Sequence, residues 1–403
     1  MYLKERQSPS NDLEKINYEE HEVISDTKQS NPHFQLYTPI IGGFIFLSIL
    51  VIAIVLMKCG YDLYTINCVI AIGVVIAAVG FDFINGMSDA ANSVATVIST
   101  RVMAPTAAII MAAIFNFIGA MIYEGVATSI ATKIVASDTV IEITPLMIFC
   151  GLIGAVIWSY IMSIIGMPVS MSHSLIGGIV GVFFIVGGFK ILNLEYLMDI
   201  VIAMFTSPIG GIIIGWIAMV LIMWIFRGVN AKKASKHFRF WQIISAAYMS
   251  FMHGSNDAQK AMGIITLALI TAGLHLPHND GSIGIPFWVK LTCATVIGLG
   301  TAIGGEHVIK TVGTKIFKIT PAHGCVIQTV SAAIIHLCTH LGIPISTTHV
   351  LTASVLGVGS SKRFNAVRWG VAGNIVVAWV ITIPTCAASG ALLYVLVKLT
   401  GLT

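Results

Sequence analysis

The sequence predicts an all-α polytopic membrane protein of about 11 transmembrane segments, built as two inverted repeats with broken helices and re-entrant-like hairpins. Three observations predict it. Of 403 residues, 56% are hydrophobic and only 10% charged, against roughly 25% charged in soluble domains. The apolar runs have bilayer length: 39–57 is 19 residues without a charge, 102–123 is 22, and 143–172 is 30, where about 20 suffice to cross. Two polar motifs also occur twice, in the same order. This pattern excludes an ordinary soluble enzyme and a nucleic-acid-binding protein.

The elements follow in chain order. Residues 1–36 hold four Lys/Arg and seven Asp/Glu and lack an early apolar stretch. They are therefore expected to be a disordered cytoplasmic tail rather than a signal peptide. Residues 37–60 contain an extra transmembrane helix at 39–57. The first repeat, 61–226, offers apolar segments at 66–98, 102–123, 143–166, 168–188 and 200–226. Segment 227–239 carries five Lys/Arg in 13 residues and is expected to be a basic cytoplasmic loop. The second repeat, 240–403, offers 240–270, 287–304, 321–341, 344–359 and 369–397.

Five segments per half is odd, so the halves take opposite topology. Placing 227–239 inside puts twelve Lys/Arg on that face and leaves Lys58, Lys133, Lys190 and Lys398 outside, as the positive-inside bias requires. Segments 168–188 and 344–359 either cross or fold back. The seven cysteines form no CxxC pair and read as small buried hydrophobes.

Asn85-Gly86-Met87-Ser88-Asp89-Ala90-Ala91-Asn92 aligns with His253-Gly254-Ser255-Asn256-Asp257-Ala258-Gln259-Lys260. An ionised Asp at mid-membrane costs about 2.5–3.5 kcal/mol even on lenient insertion scales, so Asp89 and Asp257 are expected to face a cavity, a cation or a partner. Gly and Asn favour turns, which predicts helix breaks at 85–86 and 253–256. Freed carbonyls there, with the oxygens of Asn85, Ser88, Asp89, Asn92, Asn256 and Asp257, would bind Na⁺; a buried Asp can instead carry a proton. Lys260 either neutralises Asp257 or, with Gln259, meets the substrate.

The second pair is Gly166-Met-Pro168-Val-Ser170-Met-Ser172-His173 and Gly342-Ile-Pro344-Ile-Ser346-Thr347-Thr348-His349. Pro168 and Pro344 are expected in the first turn of new helices. Ser170, Ser172, Ser346, Thr347 and Thr348 then stand near helix starts, where hydroxyls and free N–H groups suit a small oxyanion. His173 and His349 can donate to that anion, relay a proton, or bond a backbone carbonyl.

These motifs, with the run Phe81 to Arg101, resemble the inorganic phosphate transporter (PiT) family, and within it the bacterial low-affinity phosphate permeases. The resemblance covers about 64–399. It implies a symporter importing inorganic phosphate, driven by H⁺ in such permeases and by Na⁺ in other members, with phosphate able to travel as a neutral divalent metal–phosphate complex. It places substrate and ions at Asn85–Asn92, Asn256–Lys260, Ser170–His173 and Ser346–His349. It also implies an integral protein of a bacterial cytoplasmic (inner) membrane, with no cofactor beyond the coupling cation. Arsenate, nearly identical in shape and charge, is expected to be accepted. Expected partners are phosphate and lipid, with no nucleic acid, and homo-oligomerisation is left open. The extra helix 39–57 and the short insert between the halves depart from the family pattern.

A divalent metal-ion transporter is the alternative, but no dedicated metal site is assigned because the motifs are rich in hydroxyls and lack thiolates. His336-Leu-Cys-Thr-His340 has zinc-helix spacing without the glutamate of HExxH, and the absence of any Gly-Lys dipeptide excludes a P-loop.

Overall fold

In a computed structural model, residues 66–137, 139–276, 283–304 and 306–401 are described. The expected tail at 1–36 and helix at 39–57 lie outside these residues. The described chain is almost entirely helical: α1 (Ile66–Ser99), α2 (Pro105–Ile122), α3 (Gly125–Lys133), α4 (Pro145–Ile165), α5 (Met171–Gly187), α6 (Leu194–Ile225), α7 (Ala231–Thr271), α8 (Phe287–Ile303), α9 (Glu306–Lys310), α10 (Pro321–His340), α11 (Thr347–Ser360) and α12 (Trp369–Leu399). Among the described residues, seven helices are long and apolar enough to cross a membrane, or eight when the bent pair Phe287–Ile303 and His307–Lys315 counts as one span. That is fewer than the eleven or so expected from apolar runs. One of those runs is 39–57; α11, at 14 residues, reaches only about 21 Å; and the polar stretch Ser255–Lys260 lowers the hydropathy of the continuous helix α7.

Most expected segments match helices within a few residues, and three features differ. Residues 231–239, expected as loop, are the first turns of α7. Ala231, Lys232, Lys233 and Ala234 are good helix formers, and Asn230 caps them by accepting from the Lys232 N–H at 2.9 Å. The short helices α3 and α9 were not anticipated. The expected breaks at 85–86 and 253–256 are absent, because α1 and α7 run unbroken through both motifs.

Close packing explains the motif glycines. A Cβ on Gly86 would stand 2.3 Å from the Ile297 carbonyl oxygen of α8, and one on Gly254 2.0 Å from that of Asn116 in α2. The glycines let backbones touch, as small residues do between membrane helices.

The breaks fall instead at the Pro-x-Ser motifs. Chain segments 166–170 and 341–346 separate α4 from α5 and α10 from α11, with left-handed Gly166 and Gly342 ending the first helix of each hairpin. Ser170 and Ser346 cap the second, accepting from the N–H groups of His173 (3.1 Å) and His349 (3.2 Å). Pro168 and Pro344 stand two residues before these caps rather than in the first helical turn, holding the preceding residues extended. α5 packs against α4 and α12, α11 against α10 and α6, and α1 and α7 pack against each other at the centre.

Candidate functional site

The N-terminal turn of α11 lies on the two motif aspartates. Thr348 Oγ1 donates to Asp89 Oδ2 at 2.8 Å. Thr347 Oγ1 stands 3.4 Å from Asp89 Oδ2 and 3.3 Å from Asp257 Oδ2, so its single proton can serve one carboxylate at a time. Asn92 Nδ2 donates to Thr348 Oγ1 at 3.1 Å, which orders the chain Asn92 to Thr348 to Asp89. All five side chains are buried.

Lys260 joins the same cluster. Its Nζ donates to Asp257 Oδ1 at 2.7 Å and to the Ile345 carbonyl at 2.9 Å. That carbonyl also accepts from Ser172 Oγ at 2.7 Å. It is available because Ile345 lies in the extended segment before α11, where no helical N–H claims it. One backbone oxygen thus ties α7, the start of α5 and the start of α11 together.

His253 completes the centre. Its Nε2 is 3.6 Å from Asp257 Oδ2 and 3.9 Å from Asp89 Oδ2, and its Nδ1 is 2.9 Å from Asn116 Oδ1. The hydrogen-bond network assigns the ring. Thr301 Oγ1 donates to the Ile297 carbonyl at 2.8 Å, so it must accept from Asn116 Nδ2 at 2.7 Å. Asn116 therefore turns its oxygen to His253, and Nδ1 carries the proton. Nε2 is left with either a lone pair facing two carboxylates or a second proton. The lone-pair case calls for a cation between the three groups, and a second proton would itself supply that charge. Formal charges agree: two carboxylates against one ammonium leave one net negative charge. Asp89, His253 and Asp257 each offer one ligand atom, all within 4.8 Å of one another, which suits a small cation. The sequence reading assigned no metal ligands and did not select His253.

Beside this lies the imidazole pair. The rings of His173 and His349 meet edge to face with centroids 4.2 Å apart, and His349 stacks on Trp379 at 3.8 Å. Both nitrogens of His173 and Nε2 of His349 are buried without a hydrogen-bond partner, so each ring can offer one N–H near the helix starts of α5 and α11.

Of the residues selected from sequence, Asp89, Asn92, Asp257, Lys260, Ser172, Thr347 and Thr348 share this network, with His173 and His349 beside it. Ser170 and Ser346 act as caps. Asn256 Nδ2 donates to Thr339 Oγ1 at 3.0 Å. Gln259, expected to contact substrate, instead accepts from the Val126 (2.8 Å) and Ala127 (3.1 Å) N–H groups at the start of α3 and donates to the Ser255 carbonyl. Those N–H groups have no intrahelical acceptor, so Gln259 anchors α3. Asn85 and Ser88 are buried with their side-chain polar atoms unpartnered. Sequence reasoning also missed Asn116, the one amide in the apolar run of α2, and Asp82, a second acid in that of α1.

Apolar helices of membrane-crossing length around a buried cluster of carboxylates, hydroxyls and one ammonium fit an integral membrane transporter of small ions. Residues 85–390 match the phosphate transporter family, and the chain belongs to that family. It is 45% identical over 331 residues to a "Probable low-affinity inorganic phosphate transporter" of Bacillus subtilis (strain 168), covering 82% of this chain and 98% of the relative. A similarly described protein of Rhizobium meliloti (strain 1021) is 42% identical over 325 residues, covering 80% and 95%. A solved structure described as "The sodium-dependent phosphate transporter" aligns with TM-score 0.76 at 28% identity, over 82% of this chain and 99% of that one.

Proposed function

We propose that the protein imports inorganic phosphate by symport with H⁺ or Na⁺ across a bacterial cytoplasmic membrane. Phosphate is held by the helix starts of α5 and α11, with Ser172, Thr347, Thr348, His173 and His349 as donors. The cation sits among Asp89, Asp257 and His253. The two halves are read as inverted repeats meeting at this centre, a common plan in secondary transporters.

The observation that carries the reading is Thr347 and Thr348 resting on the carboxylate pair. Without a cation, the Thr348 hydroxyl proton is committed to Asp89. A cation that takes up the Asp89 lone pairs releases that proton toward an anion, so each ligand favours the other. Linkage makes the effect reciprocal. Phosphate affinity of the purified protein should therefore rise with Na⁺ or H⁺ concentration, and cation affinity should rise with phosphate by the same factor. Phosphate binding indifferent to both ions would contradict the proposal.

A second reading, transport of a neutral divalent metal–phosphate complex, is favoured by the three-ligand group of Asp89, His253 and Asp257. It predicts that chelating divalent ions abolishes uptake. Arsenate is expected to compete with phosphate in either case.

A further inference from the structure

Asp82 lies on α1 seven residues before Asp89, which puts the two carboxyls on one helix face about 10 Å apart along the axis. It is 0% exposed, and neither carboxyl oxygen accepts from an N–H or O–H group. Asn85 stands between them, equally buried, with its amide oxygen and nitrogen both unpartnered. The backbones of α1 and α8 touch here. A Cβ on Gly86 would collide with the Ile297 carbonyl, and one on Gly300 with that of Phe83.

The groups acting on Asp82 are the Cys293 thiol of α8 and, from α7, Asp257 and Lys260. α2 and α4 carry no charged side chain. α10 and α11 meet α1 at Ser93 and at Asp89–Asn92, α9, which carries His307 and Lys310, shares a core with Ala91 and Ala95, and residues 311–315 meet α1 at Ala95 and Ser99, all beyond Asp82. The weak Cys293 thiol is thus the side-chain donor at Asp82, and Lys260 is already paired with Asp257. An ionised carboxylate left so is strongly disfavoured, whereas a neutral acid is tolerated.

We propose that Asp82 holds a proton and is a second ion site of the transporter, distinct from the Asp89–Asp257 centre. The proposal rests on the coupled-transport reading above. During transport the Asp82 O–H bond breaks and the proton passes to water. The carboxylate left behind accepts from Asn85 Nδ2, one turn away and otherwise without an acceptor. Rebinding a proton from the opposite side reverses the step.

Asp82→Asn is the matching variant, since an amide nearly reproduces the shape and neutrality of the protonated acid. It is expected to fold with wild-type thermal stability. In proteoliposomes it should move one proton fewer per phosphate. Under a pH gradient of about one unit, its steady-state phosphate accumulation should fall about tenfold below wild type, because each coupled proton contributes a factor of ten per pH unit. Asp82→Glu should restore the wild-type ratio.

An unchanged proton-to-phosphate ratio in Asp82→Asn overturns the proposal. So does failure of that variant to fold, which would mean an ionised, partnered carboxylate. Wild-type uptake driven by Na⁺ alone, without proton movement, overturns it while leaving coupled transport intact. Indifference of the wild type to both gradients removes coupled transport as well.

Discussion

At the scale of single residues, the site is decided by which hydroxyl and imidazole protons are committed and which are free. Asp89 accepts from Thr348, and Asp257 is paired with Lys260. Asp89→Asn and Asp257→Asn should therefore each abolish gradient-driven uptake while the protein stays folded in the membrane. Uptake at the wild-type rate by either variant would remove that residue from the coupling site. Thr348→Ala removes a donor that the cation is proposed to release. In saturating cation it should weaken phosphate binding roughly 10- to 150-fold, the value of a hydrogen bond to a charged group, and have little effect without the cation. Titration calorimetry under the two conditions checks this, and an equal loss in both would contradict the release step. The paired aspartates were legible in the sequence because charge is rare in apolar runs. His253 was less so: its role depends on a tautomer fixed by Asn116 and Thr301, which the fold alone brings to it.

At the scale of elements, sequence spacing located the two hairpin turns correctly, since Pro, Gly and a capping serine concur there. It misplaced the other two breaks. Gly86 and Gly254 look like helix breakers in isolation, yet each allows a neighbouring helix to lie in backbone contact. Burial and packing of the helix outweigh a propensity cost of about 1 kcal/mol. Gly254→Val should consequently separate α7 from α2, pull His253 away from Asn116, and destabilise the protein by about 1–3 kcal/mol or more through overpacking. A thermal-unfolding comparison in detergent measures it, and wild-type stability would show that the contact yields easily. Gln259 carries a similar lesson. Its place in the repeated motif put it among the expected substrate contacts, whereas the unsatisfied N–H groups of α3, a helix not visible in the hydropathy, claim its side chain.

At the scale of the whole molecule, apolar composition and run length identified a helical membrane protein, and the repeated motifs pointed to the buried polar cluster shared by α1, α7 and α11. The most hydropathic stretches of α6 and α12 are only 17% and 22% buried, as helices facing lipid should be, whereas α1 and α7 bury the polar cluster. The span count was less legible, because the polar residues Ser255–Lys260 lower the hydropathy of α7 and α11 is short. The central claim is that a cation gradient drives phosphate through this centre. Its most direct test is labelled phosphate uptake by the full-length protein in proteoliposomes, with an inward H⁺ or Na⁺ gradient imposed separately. The account predicts accumulation above the external concentration with at least one gradient, and collapse to equilibrium when that gradient is dissipated. Phosphate that equilibrates at the same rate and to the same level with either gradient or none would contradict it.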